Sequence, residues 1–117
     1  MKTTYKYTTE EAIDDGILAA NPRMDCFEEC TIITTELYYE LKRVAAMRSL
    51  KMVFGEEPLD TIGHLMKFAK DMYDDEKFEG DNDKNFFVVP KGWEMNEVVW
   101  FVRNEEGKLT AMLPSDY

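Results

Sequence analysis

The residues able to do chemistry are mostly carboxylates, and many come in adjacent pairs: Glu10–Glu11, Asp14–Asp15, Glu28–Glu29, Glu56–Glu57, Asp74–Asp75 and Glu105–Glu106. Paired carboxylates do general acid–base work when burial raises the pKa of one member. Almost all of these pairs fall at expected helix ends or in loops, where water keeps both members ionised, so most read as surface charge. The single histidine, His64, could act as a base or a pH-sensitive group. No serine, cysteine or acid stands at a spacing that would build a nucleophile with it. Cys26 and Cys30 would share a helix face, but two thiols and one imidazole fall short of the four ligands of a structural zinc site. So close a pair is also no disulfide framework for a domain of this size. Both are expected to be reduced thiols, buried or half-buried. The stretch Asp81-Asn-Asp83-Lys-Asn85 begins like a calcium loop. The pattern then fails, with Phe86 where the turn glycine should stand and Gly92 where the bidentate glutamate should stand. There is no glycine-rich phosphate cradle and no basic–aromatic stripe for single-stranded nucleic acid. No catalytic residue, metal ligand or cofactor site is assigned.

With 117 residues the chain has the size of one domain, spanning 1–117. Area scaling leaves roughly a third of the unfolded surface exposed, enough for one core without staples. The composition, 44% hydrophobic and 13% aromatic, is that of a folded protein. The charge is more informative: 24 acids face 14 bases, a formal net of −10. Such a chain is repelled by phosphate backbones and anionic lipid and is steered toward a basic partner. Direct nucleic-acid binding and membrane binding are therefore not expected. The start, Met1-Lys-Thr-Thr-Tyr-Lys-Tyr, lacks an apolar signal core and no apolar run is long enough to span a bilayer, so a cytoplasmic location is expected.

The elements that would position these groups are read from period. Val98, Trp100 and Val102 alternate with Val99 and Phe101, and Leu109, Ala111 and Leu113 with Thr110 and Met112. A short polar connection with Gly107 joins the two runs, which is the pattern of a β-hairpin. The first run is apolar on both faces, which predicts cover on both. Phe86–Val89 is a further strand, broken by Pro90 and Gly92, with Trp93 packing back. Thr34 or Thr35 caps the longest helix, with Leu37, Leu41, Val44, Ala45 and Met47 as its inward stripe and Gly55 as its stop. Pro58 or Asp60 starts a second helix with Ile62, Leu65, Met66, Ala69, Met72 and Tyr73 inward. Earlier in the chain, Lys2–Thr8 suits a short edge strand. Thr8-Thr-Glu-Glu11 matches a capping box for a short helix ended by Gly16, with Ala12 and Ile13 inward. Ile17–Ala20 is extended, Asn21-Pro22 turns, Met24–Cys30 fits a helical turn or a loop, and Thr31–Thr34 suits a short strand. Residues 71–84 read as an acidic loop. The fold class is α+β: a small antiparallel sheet, mainly 85–89, 97–104 and 108–113, with two long helices on one face. Short N-terminal elements cover the other face.

Three of these stretches, and a fourth more weakly, resemble a family of small proteins of unknown function carried on phages, plasmids and conjugative elements. Tyr7-Thr-Thr-Glu-Glu-Ala-Ile-Asp-Asp-Gly-Ile-Leu18 is similar to that family's start, and Ile33-Thr-Thr-Glu-Leu-Tyr-Tyr39 to its threonine-capped long helix. Lys108-Leu-Thr-Ala-Met-Leu-Pro114 resembles its closing strand, and Leu59-Asp-Thr-Ile-Gly-His-Leu-Met66, more weakly, its second long helix. The matching positions are caps, terminators and strand residues, so the resemblance implies a mobile-element context and transfers no catalytic residue. Residues 24–30 and 71–84 depart from the family pattern.

These readings give one leading expectation and two rivals. The first is a non-enzymatic acidic protein that binds a basic protein surface through Asp71, Asp74, Asp75, Glu76, Glu79, Asp81 and Asp83. Its target would be a host-defence or replication protein, masked partly by nucleic-acid mimicry in the manner of an anti-CRISPR or anti-restriction inhibitor. The second is a plain interaction module whose charge only keeps it in solution. The third is a small-molecule binder using a helix–sheet pocket near Tyr38, His64 and Trp93. Self-association is compatible with all three.

Overall fold

Among the described residues, helix stripes and alternating runs resolve into two long helices and five strands. The computed structural model describes residues 13, 16–49, 60–78, 80–91 and 97–116. Strands β1 (Leu18–Ala20) and β2 (Cys30–Thr34) precede helix α1 (Thr35–Ser49) and helix α2 (Thr61–Asp74). Strands β3 (Phe86–Val89), β4 (Val99–Arg103) and β5 (Leu109–Met112) follow, then a 3-10 turn, Pro114–Asp116. The expected strand over 2–8, the capping box at 8–11, Gly55, Pro58 and Trp93 lie outside the described residues.

The fold is α+β, with the predicted antiparallel meander β3-β4-β5 at one side of the sheet. The meander is extended by two strands, giving the order β1-β2-β5-β4-β3. β2 joins β5 in parallel, and β1 returns antiparallel to β2. Thr31 is an extra residue between two paired positions, Cys30 opposite Leu109 and Ile32 opposite Thr110. That bulge lets both Cys30 and Ile33 face the helices, where strict alternation would send them to opposite sides.

The core lies between the sheet and the helices. α1 contributes Leu37, Leu41 and Val44, and α2 contributes Ile62, Leu65, Met66 and Ala69. From the sheet come Cys30, Ile33, Phe87, Val89, Val99, Phe101, Leu109 and Ala111. Phe87 and Phe101, directly opposite on β3 and β4, stack with centroids 5.0 Å apart. Phe27, Tyr73 and Phe78 close around that pair. Met47 is 53% exposed and not inward as its type suggests. It sits about 80° around the helix from Leu37, off the buried stripe, and its sulfur accepts from Arg43. Ile13 is likewise exposed. On the face away from the helices, Ile32 and Thr110 are buried, whereas Phe86, Val88, Trp100, Val102 and Met112 are half-buried.

Both helices start as the sequence predicts. The Thr34 hydroxyl accepts from the Leu37 amide and donates to Asp116, which also accepts from the Leu113 amide, so the chain end is tied to the first turn of α1. Asp60 caps α2 by accepting from the Gly63 amide, and it pairs with Arg23. Asn21 donates to the Cys30 carbonyl and to Met66 and accepts from the Arg23 amide, fixing the predicted turn against α2.

Cys26 and Cys30 are free and buried, as expected. Burial pushes the Cys30 thiol up to about 12 from an ordinary value of 9.0. The folded state thus favours the protonated thiol. That contribution is fully present below pH 9.0 and is lost as pH rises toward about 12, because only the unfolded chain gains by ionising. The unfolding free energy read from urea titrations is expected to fall above about pH 9, with Cys30 contributing at most about 1.4 kcal/mol per pH unit. A Cys30→Ala variant, less stable at neutral pH, should show a correspondingly smaller fall. Equal alkaline slopes in both proteins would refute the assignment.

Candidate functional site

The strand register gathers charge at one end of the sheet. Cys30 lies opposite Leu109, and Leu109 opposite Arg103. Arg103 in turn donates its amide to the Asn85 carbonyl, 2.8 Å away. The start of β2, the start of β5, the end of β4 and the turn before β3 therefore share one edge. The last turn of α2 comes down on the same edge, where the Tyr73 hydroxyl accepts from Arg103.

Arg103 holds this end together. Its guanidinium donates to the Lys84 and Gly107 carbonyls, both at 2.7 Å, to the Asn85 side chain at 3.0 Å and to the Tyr73 hydroxyl at 3.1 Å. Glu29 stands 3.5 Å away. The planar fork suits a node of this kind, since five fixed donors can serve several acceptors at once. Lys84 also lies over the Tyr73 ring, 4.9 Å from its centroid.

The segments that meet at or adjoin this end of the sheet carry Glu28, Glu29, Asp71, Asp74, Asp75, Glu76, Asp81, Asp83, Glu105 and Glu106, ten of the chain's 24 acids. Five bases accompany them: Lys70, Lys77, Lys84, Arg103 and Lys108. Six of the seven expected contact acids are among the ten, and Glu79 lies outside the described residues. Asp71 and Asp74 belong to α2 and not to a loop, because the helix runs one turn further than its composition suggests. Glu28, Glu29, Glu105 and Glu106 were not expected in the group. They are remote in sequence, and only the β2–β5–β4 register brings them near.

The acids are not equivalent. Asp74 pairs with Lys70, Asp75 with Lys77 and Glu76 with Lys84. The bond to Asp74 holds the Lys70 ammonium above its ordinary range, and the charges of Glu28 and Asp71 add to that. These are exposed pairs, weak and easily exchanged for another cation. Asp83 has a structural task. Its carboxylate accepts from the Asn85 and Phe86 amides, and its backbone exchanges bonds with Phe86. β3 is an edge strand, so this closes the outer backbone groups at its start, and Pro90 offers no donor beyond its end.

Glu76 terminates α2. The Lys77 amide reaches the Met72 carbonyl and the Glu76 amide the Tyr73 carbonyl, the two bonds of a Schellman motif. Glu76 takes φ of 51°, the left-handed position usually held by glycine.

The other candidates lie apart. His64 is exposed on α2 and Tyr38 is half-buried on α1; Trp93, and with it the expected pocket near the three, lies outside the described residues. A cavity of about 420 Å³ lies elsewhere, lined by Glu40, Glu97, Leu113, Pro114 and Ser115. The Arg43 guanidinium beside Glu40 holds that carboxyl below its usual range. Cys26 lies beside the Arg23 guanidinium, 3.2 Å from sulfur to nitrogen. Among the described residues no group of His, Cys, Asp and Glu is arranged to hold a metal ion. No described helix is long and apolar enough to cross a membrane.

No protein-family model matches the chain, and no curated protein or solved structure matches it.

Two variants test how this end is built. Arg103→Met removes the donor from the part-buried Lys84 carbonyl and Tyr73 hydroxyl and from the exposed Gly107 carbonyl, and should lower unfolding free energy by about 1–2 kcal/mol. Arg103→Lys should recover little of that, because one ammonium cannot span the same acceptors. Glu76→Gly relieves the left-handed residue and forfeits only an exposed ion pair, so it should raise stability by about 0.5 kcal/mol. Urea unfolding at pH 7 reads both effects.

Proposed function

We propose that this protein is a non-enzymatic binding protein whose acidic sheet end docks onto a basic surface of another protein. The supporting observation is that four separate segments, which carry ten carboxylates, meet at or adjoin the end of the sheet held by Arg103. Their excess over local bases gives that end a negative field. Such a field raises association rates and makes them salt-dependent. The exposed lysine pairs do not block the contact, since an incoming guanidinium can replace a weakly held ammonium. In a finer form of the same reading, the covered surface is one that binds nucleic acid, in a host-defence or replication protein. The sign of the field and the resemblance to mobile-element proteins favour that form.

The half-buried apolar residues on the sheet face away from the helices favour a second reading, a contact made through Val88, Trp100, Val102 and Met112. The two differ in salt response, because apolar contact is not screened.

The test is capture of host proteins at about 50 mM and about 500 mM salt. It compares the native protein with a variant carrying Asp71→Asn, Asp75→Asn, Glu105→Gln and Glu106→Gln. These positions leave Arg103 and Asp83 intact. The expected result is a basic partner released by high salt and bound at least tenfold less by the variant. Undiminished binding by the variant, or capture that high salt leaves unchanged, would reject the acidic end as the docking site.

A further inference from the structure

Helix α2 carries an aromatic ring among its outward charges. His64, Phe68, Asp71 and Asp75 follow at intervals of four, three and four residues, which sets them along one side of a helix. All four are exposed. Phe68 is 42% exposed, while Ile62, Leu65, Met66 and Ala69 of the same helix are buried. A ring one turn from a carboxylate, with a second carboxylate one turn further, distinguishes between cations. A guanidinium can lie flat on the ring while its N–H fork meets a carboxylate; an ammonium gains mainly the charge. The chain uses the same combination internally, where Arg103 lies 6.0 Å from the Tyr73 ring centroid and 3.5 Å from Glu29.

We infer that Phe68, with Asp71 and Asp75, is a docking point for an arginine side chain of the basic partner. The inference rests on the acidic-end reading above and adds a chemical preference to it: arginine over lysine. Charge complementarity selects a cationic occupant, and the exposed ring selects a planar one.

Dye-labelled nona-arginine and nona-lysine peptides, titrated by fluorescence anisotropy at about 50 mM salt, read this preference directly. The native protein should bind the arginine peptide about fivefold more tightly. Phe68→Ala and Phe68→Leu should both reduce that ratio severalfold while leaving affinity for the lysine peptide nearly unchanged. The leucine variant keeps apolar bulk and removes only the π face. Asp71→Asn with Asp75→Asn should weaken both peptides. A ratio that survives both Phe68 variants, or salt-sensitive binding of both peptides with no arginine preference, overturns the Phe68 assignment and leaves the acidic end standing. Failure of both peptides to bind overturns the acidic end as well.

Discussion

The Arg103 guanidinium is the interaction on which the charged end depends. It stands at the last residue of β4 and bonds the turn before β3, the hairpin loop before β5 and the end of α2. Most of its acceptors are neutral oxygens. A carboxylate partner alone would have consumed the charge locally. Carbonyl oxygens instead spread it over several backbone segments, fixing their positions. Glu29 is the carboxylate paired with it, at 3.5 Å. A cation at this node also offsets the mutual repulsion of the acids it organises.

Stability and charge are coupled in the segment after α2. Glu76 occupies a left-handed position where glycine is ordinarily better, yet it brings a carboxylate to the same rim. Asp83 does the reverse. Its carboxylate and backbone are absorbed in the turn that guards the β3 edge. Phe78, between them in sequence, packs against Phe87. That contact holds an otherwise polar stretch against the core, so the acids on either side are presented from a fixed support.

The local elements were legible because their signals are local. Asp60 three residues before Gly63, the alternation in 99–103 and 109–112, and the stripe Leu37–Leu41–Val44 each need only a few neighbours to be read. β2 was legible as a strand, but its place in the sheet was not. Its parallel pairing with β5 joins residues nearly 80 positions apart, and nothing in Cys30–Thr34 names that partner. The bulge at Thr31 further hid its inward face by breaking the alternation. The acidic site was half legible. The run 71–83 announces itself by composition, whereas Glu28, Glu29, Glu105 and Glu106 join it only through the register. Arg103 gave no signal, since a basic residue ending a strand is ordinarily a solvated one.

On the proposed reading, the acids borne by these segments serve docking more than solubility. Charge that only keeps a protein dispersed works best when spread and interleaved. Carboxylates that share one end of a small domain repel one another where they lie within the screening distance, about 10 Å at 0.1 M salt. The pairs of Glu29 with Arg103 and of Asp74, Asp75 and Glu76 with three exposed lysines offset part of such repulsion. The same features make an unneutralised rim useful to a cationic partner. Its binding would relieve the strain of like charges while its own cations are satisfied, so part of the driving force is already stored in the free protein. A dispersed surface of equal net charge would hold no such reserve. The concentration of the carboxylates, more than their number, is therefore what argues for a docking role.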